Sequence, residues 1–213
     1  MLRYVYADQL KNHPKLAASM FRDRADQFKT RLGWDVSVDA EGFERDQYDD
    51  LNPLYVIWEN VDGSHGGSMR FLPTTGRTMV NEHFGSLMSG PITSPTIWEC
   101  TRFCLNRNAE SRVAAALMLG GGEIMQNFGV HHFVGVFDAR MVRIYRMIGS
   151  SPDILGFDGK GRDKISVGLW HFAPEAQAKV ASRAGLSLEL SRLWFARSFG
   201  DTGAPAYELA RTA

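Results

Sequence analysis

The run TIWECTRFCL, residues 96–105, is the tightest constraint on what this chain can fold into. Ile97, Trp98, Cys100, Phe103, Cys104 and Leu105 favour an interior strand, yet Glu99 and Arg102 sit among them. An isolated charge is severely costly to bury, so each must meet a partner brought from elsewhere in the chain. Residues three apart on a regular strand point to opposite faces. Glu99 and Arg102 can therefore serve one cleft only if the strand bulges or splays between them. Otherwise Arg102 works from the other side, at an edge or beneath loops. Cys100 and Cys104 are the chain's two cysteines. At ~3.3 Å per residue they lie ~13 Å apart on a strand, beyond the ~7 Å a disulfide can bridge. They are expected to be reduced, buried thiols.

Around this strand the pattern alternates. Residues 14–33 read as a helix, with Pro14 in its first turn, Gly33 at its end, and Leu16, Met20, Phe21, Phe28 and Leu32 at helical spacing. Residues 39–52 are acidic and turn-rich, hence a loop. Residues 54–60 and 68–73 read as a hairpin around the turn DGSHGG, residues 62–67, followed by a loop and a short helix. A long helix over 109–128 is interrupted by Gly120, Gly121 and Gly122. A strand (131–138), a helix (139–149), a strand (164–172) and helical residues from Pro174 follow, through 174–213. A leading hairpin followed by alternating elements predicts an α/β or α+β sheet with helices packed on it. The 213 residues, 44% hydrophobic and 23% charged, are enough for a real core and contain no linker, so one domain over 1–213 is expected.

Lys plus Arg and Asp plus Glu number 24 each, which argues against general nucleic-acid binding. The N-terminal segment carries no apolar signal, and no run approaches the ~18 apolar residues a membrane span needs. A soluble, cytoplasmic protein is expected. The six histidines lack any HExxH-type spacing, and His131 and His132 would point to opposite faces of a strand, so no metal site is expected. No GxSxG elbow is present, nothing pairs either cysteine with a base, and GGGE at 120–123 lies inside a helix rather than after a strand.

The remaining constellation is ionic. Arg24, Phe28 and Arg31 fall at i, i+4 and i+7 on one helix face, and Trp34 follows. Asp46, Asp49, Arg70, Phe84, Glu99 and Arg102 complete the set. Guanidinium forks hold carboxylates and aromatic faces accept cations, so the set suits a zwitterion with a sulfonium or ammonium beside a carboxylate. Spacing alone favours the plainer reading, a set of structural salt bridges that stabilise the fold.

These residues lie in RADQFKTRLGWDV, ERDQYDD, SMRFLPTTGRTMV and WECTRFCL, and in that order the chain resembles the acyl-homoserine lactone synthases, the LuxI-type autoinducer synthases. The resemblance covers most of residues 1–172. It implies an N-acetyltransferase-like three-layer sandwich, with a mixed twisted sheet whose splayed central cleft is flanked by helices. The stretch NRNAESRVAAAL lacks the glycines of the acetyltransferases' pyrophosphate loop, which argues against an ordinary acetyl-CoA acetyltransferase. The implied partners are S-adenosylmethionine, a substrate rather than a cofactor, and an acyl chain on acyl carrier protein or coenzyme A. No cofactor is expected. The amine attacks the thioester, and the methionine carboxylate then closes the lactone and releases methylthioadenosine. Glu99 is implied as the base, direct or through a water. Arg24, Arg70 and Arg102 would orient carboxylates, and Phe28, Trp34 and Phe84 would wall the adenosyl and sulfonium region. Asp46 and Asp49 would anchor the cation or tie down the N-terminal helix. An acyltransferase acting on another amine and a non-catalytic protein of this fold are the competing functions.

The resemblance places the acyl pocket at Cys100, Met118, Gly121, Gly135, Phe137, Met141 and Tyr145. Synthases of 3-oxo chains tend to have a threonine where this chain has Gly135, so 3-oxo donors are expected not to be preferred. Gly121 would make room for a longer or wider chain unless Met125, Phe128 or Phe133 refills the space. An acidic carrier calls for a basic dock. Arg140, Arg143 and Arg146 recur on one helix, and Lys160, Arg162 and Lys164 follow.

Overall fold

A computed structural model describes residues 1–200. Seven strands form one mixed sheet: β1 (Leu2–Tyr6), β2 (Leu54–Glu59), β3 (His65–Pro73), β4 (Ile97–Leu105), β5 (His132–Asp138), β6 (Asp153–Asp158) and β7 (Ile165–His171), in the order β1-β2-β3-β4-β5-β7-β6. Every neighbouring pair is antiparallel except β4–β5. The helices are α1 (Pro14–Arg24), α2 (Met79–His83), α3 (Arg112–Phe128), α4 (Ala139–Ile148), α5 (Pro174–Ala184) and α6 (Leu188–Phe199). Leu16, Met20 and Phe21 of α1 pack on Tyr55 and Ile57 on one face of the sheet, and α3 packs on Leu54, Val56 and Phe71 on the other. The result is the expected helix–sheet–helix sandwich. Among the described residues no helix is long and apolar enough to cross a membrane.

Several expectations are corrected. The first helix does not run regularly to Gly33: after Arg24 it widens into π-helical turns over Ala25–Arg31. Strand β3 starts at His65 rather than residue 68, because the glycines assigned to the turn are buried strand. A Cβ on Gly67 would lie 2.8 Å from Leu105 and 2.9 Å from Val113, so only bare backbone lets β3 pass beneath α3 at that point. The turn itself is tighter, closed by Asn60 N–H to the Ser64 carbonyl at 2.9 Å. Strands β1 and β6 were not anticipated. The expected helical tail divides into α5 and α6, and its last residues, 201–213, lie outside the described residues.

Two irregularities of β4 place the site. Strand β4 pairs with β5 only over Ile97–Glu99, opposite His132–Val134, and the two strands diverge from there on. On its other side, β4 pairs Thr101 with Arg70 and Cys104 with Ser68, so Arg102 and Phe103 together face Met69. That is a β-bulge, and Arg102 takes a φ of +52° to make it. The bulge carries Arg102 to the side occupied by Thr101 and Arg70, which meets the condition under which the two strand charges can share one side.

Candidate active site

The divergence of β4 and β5 opens a cavity of about 760 Å³. It runs from the α1 side of the sheet, where Phe28, Trp34, Asp46, Phe84, Thr101 and Arg102 line it, to the α3 side, where Met69, Phe71, Cys100, Met118, Gly121 and Tyr145 do. The two ends have different chemistry.

At the first end three guanidiniums interlock with three carboxylates. Arg24 donates from Nε to Glu44 at 2.6 Å and, through both terminal nitrogens, to Asp49 at 3.0 and 2.8 Å. Arg70 donates to Asp49 at 2.7 Å, to both oxygens of Asp46, and to the Thr101 hydroxyl at 3.0 Å. Arg102 reaches Glu44 at 2.9 Å and Asp46 at 2.6 Å. Burial pushes the Asp49 carboxyl up, but the Arg24 and Arg70 guanidiniums outweigh it and hold Asp49 well below the ordinary carboxylate range. Asp46 is likewise held low, Arg70 and Arg102 offsetting its burial.

This geometry corrects part of the expected site. Arg24 and Arg70 are both 0% exposed, do not line the cavity, and spend their forks on the protein's own carboxylates. Arg102 alone of the three borders the cavity, with its guanidinium 5.3 Å over the Phe28 ring. Asp49 is also behind the wall, where it ties α1 to β3. Of its two expected roles, the structural one is what the contacts show. Asp46 reaches the cavity and bridges Arg70 and Arg102. Arg31 lies in the π-helical turns and, unlike Arg24, lines the cavity. It caps the Leu105 carbonyl at 2.9 Å and pairs with Asp26 at 3.0 Å. Phe28, Trp34 and Phe84 all line the cavity, Phe28 stacking on Trp34 with centroids 5.1 Å apart. Glu44 was missed. Three buried arginines against two aspartates leave one charge unbalanced, and that imbalance within FERDQYDD was the available signal.

Glu99 is also corrected in position. It occupies the last paired residue before β4 and β5 part, is 1% exposed, and is not in the cavity wall. Its oxygens accept the backbone N–H groups of Met79 (3.1 Å) and Val80 (2.6 Å) and so hold α2 in place. Met79, Cys100 and Thr101 line the cavity around it. Burial raises its carboxyl to about 7, against the two N–H groups that favour its charge.

At the other end all seven expected pocket residues, Cys100, Met118, Gly121, Gly135, Phe137, Met141 and Tyr145, line the cavity. A Cβ on Gly135 would lie 2.9 Å from the Cys100 carbonyl and 3.2 Å from Trp170, so glycine is needed where β5 first leaves β4. Gly121 is less crowded: a Cβ there meets Phe133 at 3.4 Å. Phe133 and Met125 border this space, whereas Phe128 packs away from it, on Trp98 and Phe195. The Cys100 and Cys104 thiols are free, and burial pushes both well up, so they are neutral.

Arg140, Arg143 and Arg146 are exposed on α4, and Lys160 and Arg162 are exposed on the turn packed against it. Arg140 is also paired with Asp138, the α4 N-cap, at 3.1 Å. Lys164 departs from the stripe, its ammonium lying 3.8 Å over the Phe157 ring.

Residues 7–179 match the family model described as autoinducer synthase. An acyl-homoserine-lactone synthase of Rhizobium etli is 37% identical over 211 residues, which is 95% of this chain and 99% of that protein. Among solved structures, a CoA-dependent acyl-homoserine lactone synthase, MesI, superposes with a TM-score of 0.76 at 26% identity, over 88% of this chain and 96% of that one. BjaI, described as a CoA-dependent synthase with SAM and isopentyl-CoA, gives 0.76 at 19% identity, over 91% and 99%. A putative N-acetyltransferase from Lactobacillus plantarum gives 0.55 at 14% identity, over 81% and 99%. The last two are likenesses of fold.

Proposed function

This chain belongs to the autoinducer synthase family and is an acyltransferase of the acyl-homoserine-lactone synthase kind; we propose that it joins an acyl thioester to the amine of S-adenosylmethionine and closes the product to a lactone. The observation that carries this is one cavity with two chemistries, ionic and aromatic on one side of the sheet and apolar on the other, meeting where β4 and β5 part. The neutral amine attacks the thioester carbonyl, the C–S bond breaks with its pair leaving on the carrier sulfur as thiolate, and the proton lost by the nitrogen passes to a base and from there, through solvent, to the thiolate. The substrate carboxylate then displaces methylthioadenosine from its own γ-carbon. Of the three network arginines, Arg102 is the one at the cavity and would face that carboxylate, and Phe28, Trp34 and Phe84 would flank the adenosyl and sulfonium groups. Arg24, Arg70 and Asp49 act as positioning residues that hold Arg102 and Asp46 in register.

Glu99 takes the proton in this scheme. A carboxyl held near 7 is matched to accepting a proton at neutral pH. Each of its oxygens keeps a second lone pair beyond the backbone bond it accepts, so a water bridging to the amine fits. The acyl chain lies among Met118, Phe137 and Met141. The exposed arginines of α4 would meet an acidic carrier protein. Mass spectrometry of reactions given S-adenosylmethionine, with acyl carrier protein and coenzyme A thioesters in turn, tests the scheme. A lactone and equimolar methylthioadenosine are expected, with the carrier thioester turned over faster. Acylation of another amine without methylthioadenosine would overturn it.

A further inference from the structure

At the ionic end Arg24, Arg70 and Arg102 are satisfied by Glu44, Asp46 and Asp49. The apolar end contains a polar group to which no described residue hydrogen-bonds. Tyr145 stands edge-on to Phe137, with centroids 5.3 Å apart, and to Trp170 at 5.0 Å, and is only 6% exposed. Tyr145 borders the cavity. No described residue hydrogen-bonds its hydroxyl. The polar neighbours are already committed. Asp138 accepts from the Arg140 and Met141 N–H groups at 2.9 and 3.3 Å and from the Arg140 side chain at 3.1 Å. The Cys100 thiol is directed to the Met69 sulfur at 3.8 Å. Burial holds the phenol protonated, so it is a donor.

We infer that the Tyr145 hydroxyl is a specificity group that selects acyl chains carrying an oxygen, as hydroxyl or ketone, over fully reduced chains. This rests on the synthase scheme above. An all-methylene chain would cover the hydroxyl and leave it unpaired, whereas an oxygenated chain gives it an acceptor. The expectation against 3-oxo donors assumed that a donor must come from the strand position held by Gly135; here α4 supplies one instead. The rings that clamp Tyr145 fix its direction, so the discrimination costs little ordering.

The test compares 3-hydroxyacyl, 3-oxoacyl and unsubstituted thioesters of one chain length on the wild type and on Tyr145→Phe. The wild type should prefer an oxygenated donor by about 10-fold in kcat/KM. Tyr145→Phe should bring the kcat/KM ratio of oxygenated to unsubstituted donor down to about 1, and a melting temperature close to that of wild type reports that the variant is folded. The better of the two oxygenated donors identifies the oxygen. A wild type that favours the unsubstituted chain, or a variant that loses all donors alike, overturns the inference and leaves the synthase scheme intact. Absence of lactone from every donor overturns both.

Discussion

At the ionic end of the cavity, arginines from α1, β3 and β4 are held by Glu44, Asp46 and Asp49, and the guanidinium that borders the cavity is the last link of a closed network. At the apolar end, rings and methionines surround two glycines and the Tyr145 hydroxyl, which no described residue hydrogen-bonds. The first end is pre-organised by folding itself, because its charges cannot be buried unless they meet. The second is shaped by space and by a single donor. Changes at the ionic end should therefore register first in stability, and changes at the apolar end in which donor is used.

The sharpest way to break that contrast is Asp49→Asn, which removes the carboxylate shared by Arg24 and Arg70. Losing one partner of a buried pair costs ~3–5 kcal/mol. For a chain of this size the melting temperature should fall by on the order of 10 °C. A melt within about 2 °C of wild type would mean that the network is ornamental. Next is Glu99→Gln, expected to lower kcat by ~10²–10⁴ with the fold retained. The wild-type kcat/KM should rise with pH through about 7, and that limb should vanish in the variant.

Stability carries a matching signature. The Glu99 carboxyl sits higher folded than unfolded, so its contribution is complete below its ordinary value of 4.5 and is lost as pH rises through about 7. The difference between wild type and Glu99→Gln should change by ~3 kcal/mol across that window. A pH-independent difference in denaturant midpoint would remove the case for a buried, shifted base.

The smallest effects belong to the glycines of the apolar end. Gly135→Ala drives a Cβ to 2.9 Å from the Cys100 carbonyl and should cost ~1–3 kcal/mol. Gly121→Ala meets only ordinary contact, gains helix propensity of up to ~1 kcal/mol, and should shift donor preference toward shorter chains. Thermal melts and a chain-length series check the pair. Equal destabilisation by both would erase the distinction between a required glycine and a spacious one.

What could be read from the sequence was which groups would gather, and what could not was how they would pair. The charges on 96–105 required partners and a bulge, and both are present at Arg102. The pairing closes across α1, the loop before β2, β3 and β4, so spacing along the chain could not show that Arg24 and Arg70 would be consumed internally or that Glu44 was needed. Glu99 turned toward the α2 backbone for the same reason: its partners are N–H groups, which no residue type announces. Strand β6, DILGFD, carries a central glycine and mostly exposed side chains, so its alternation says little. The hairpin glycines misled because close approach and turning call for the same residue.

The three register pairs that join β4 to β5 make the sheet two plates riveted along a short seam. Any torque from a molecule wedged between the plates is carried by those pairs and by the helices that straddle them. Beyond the seam, Cys100–Leu105 and Gly135–Asp138 present facing edges that lie inside the molecule rather than at its rim.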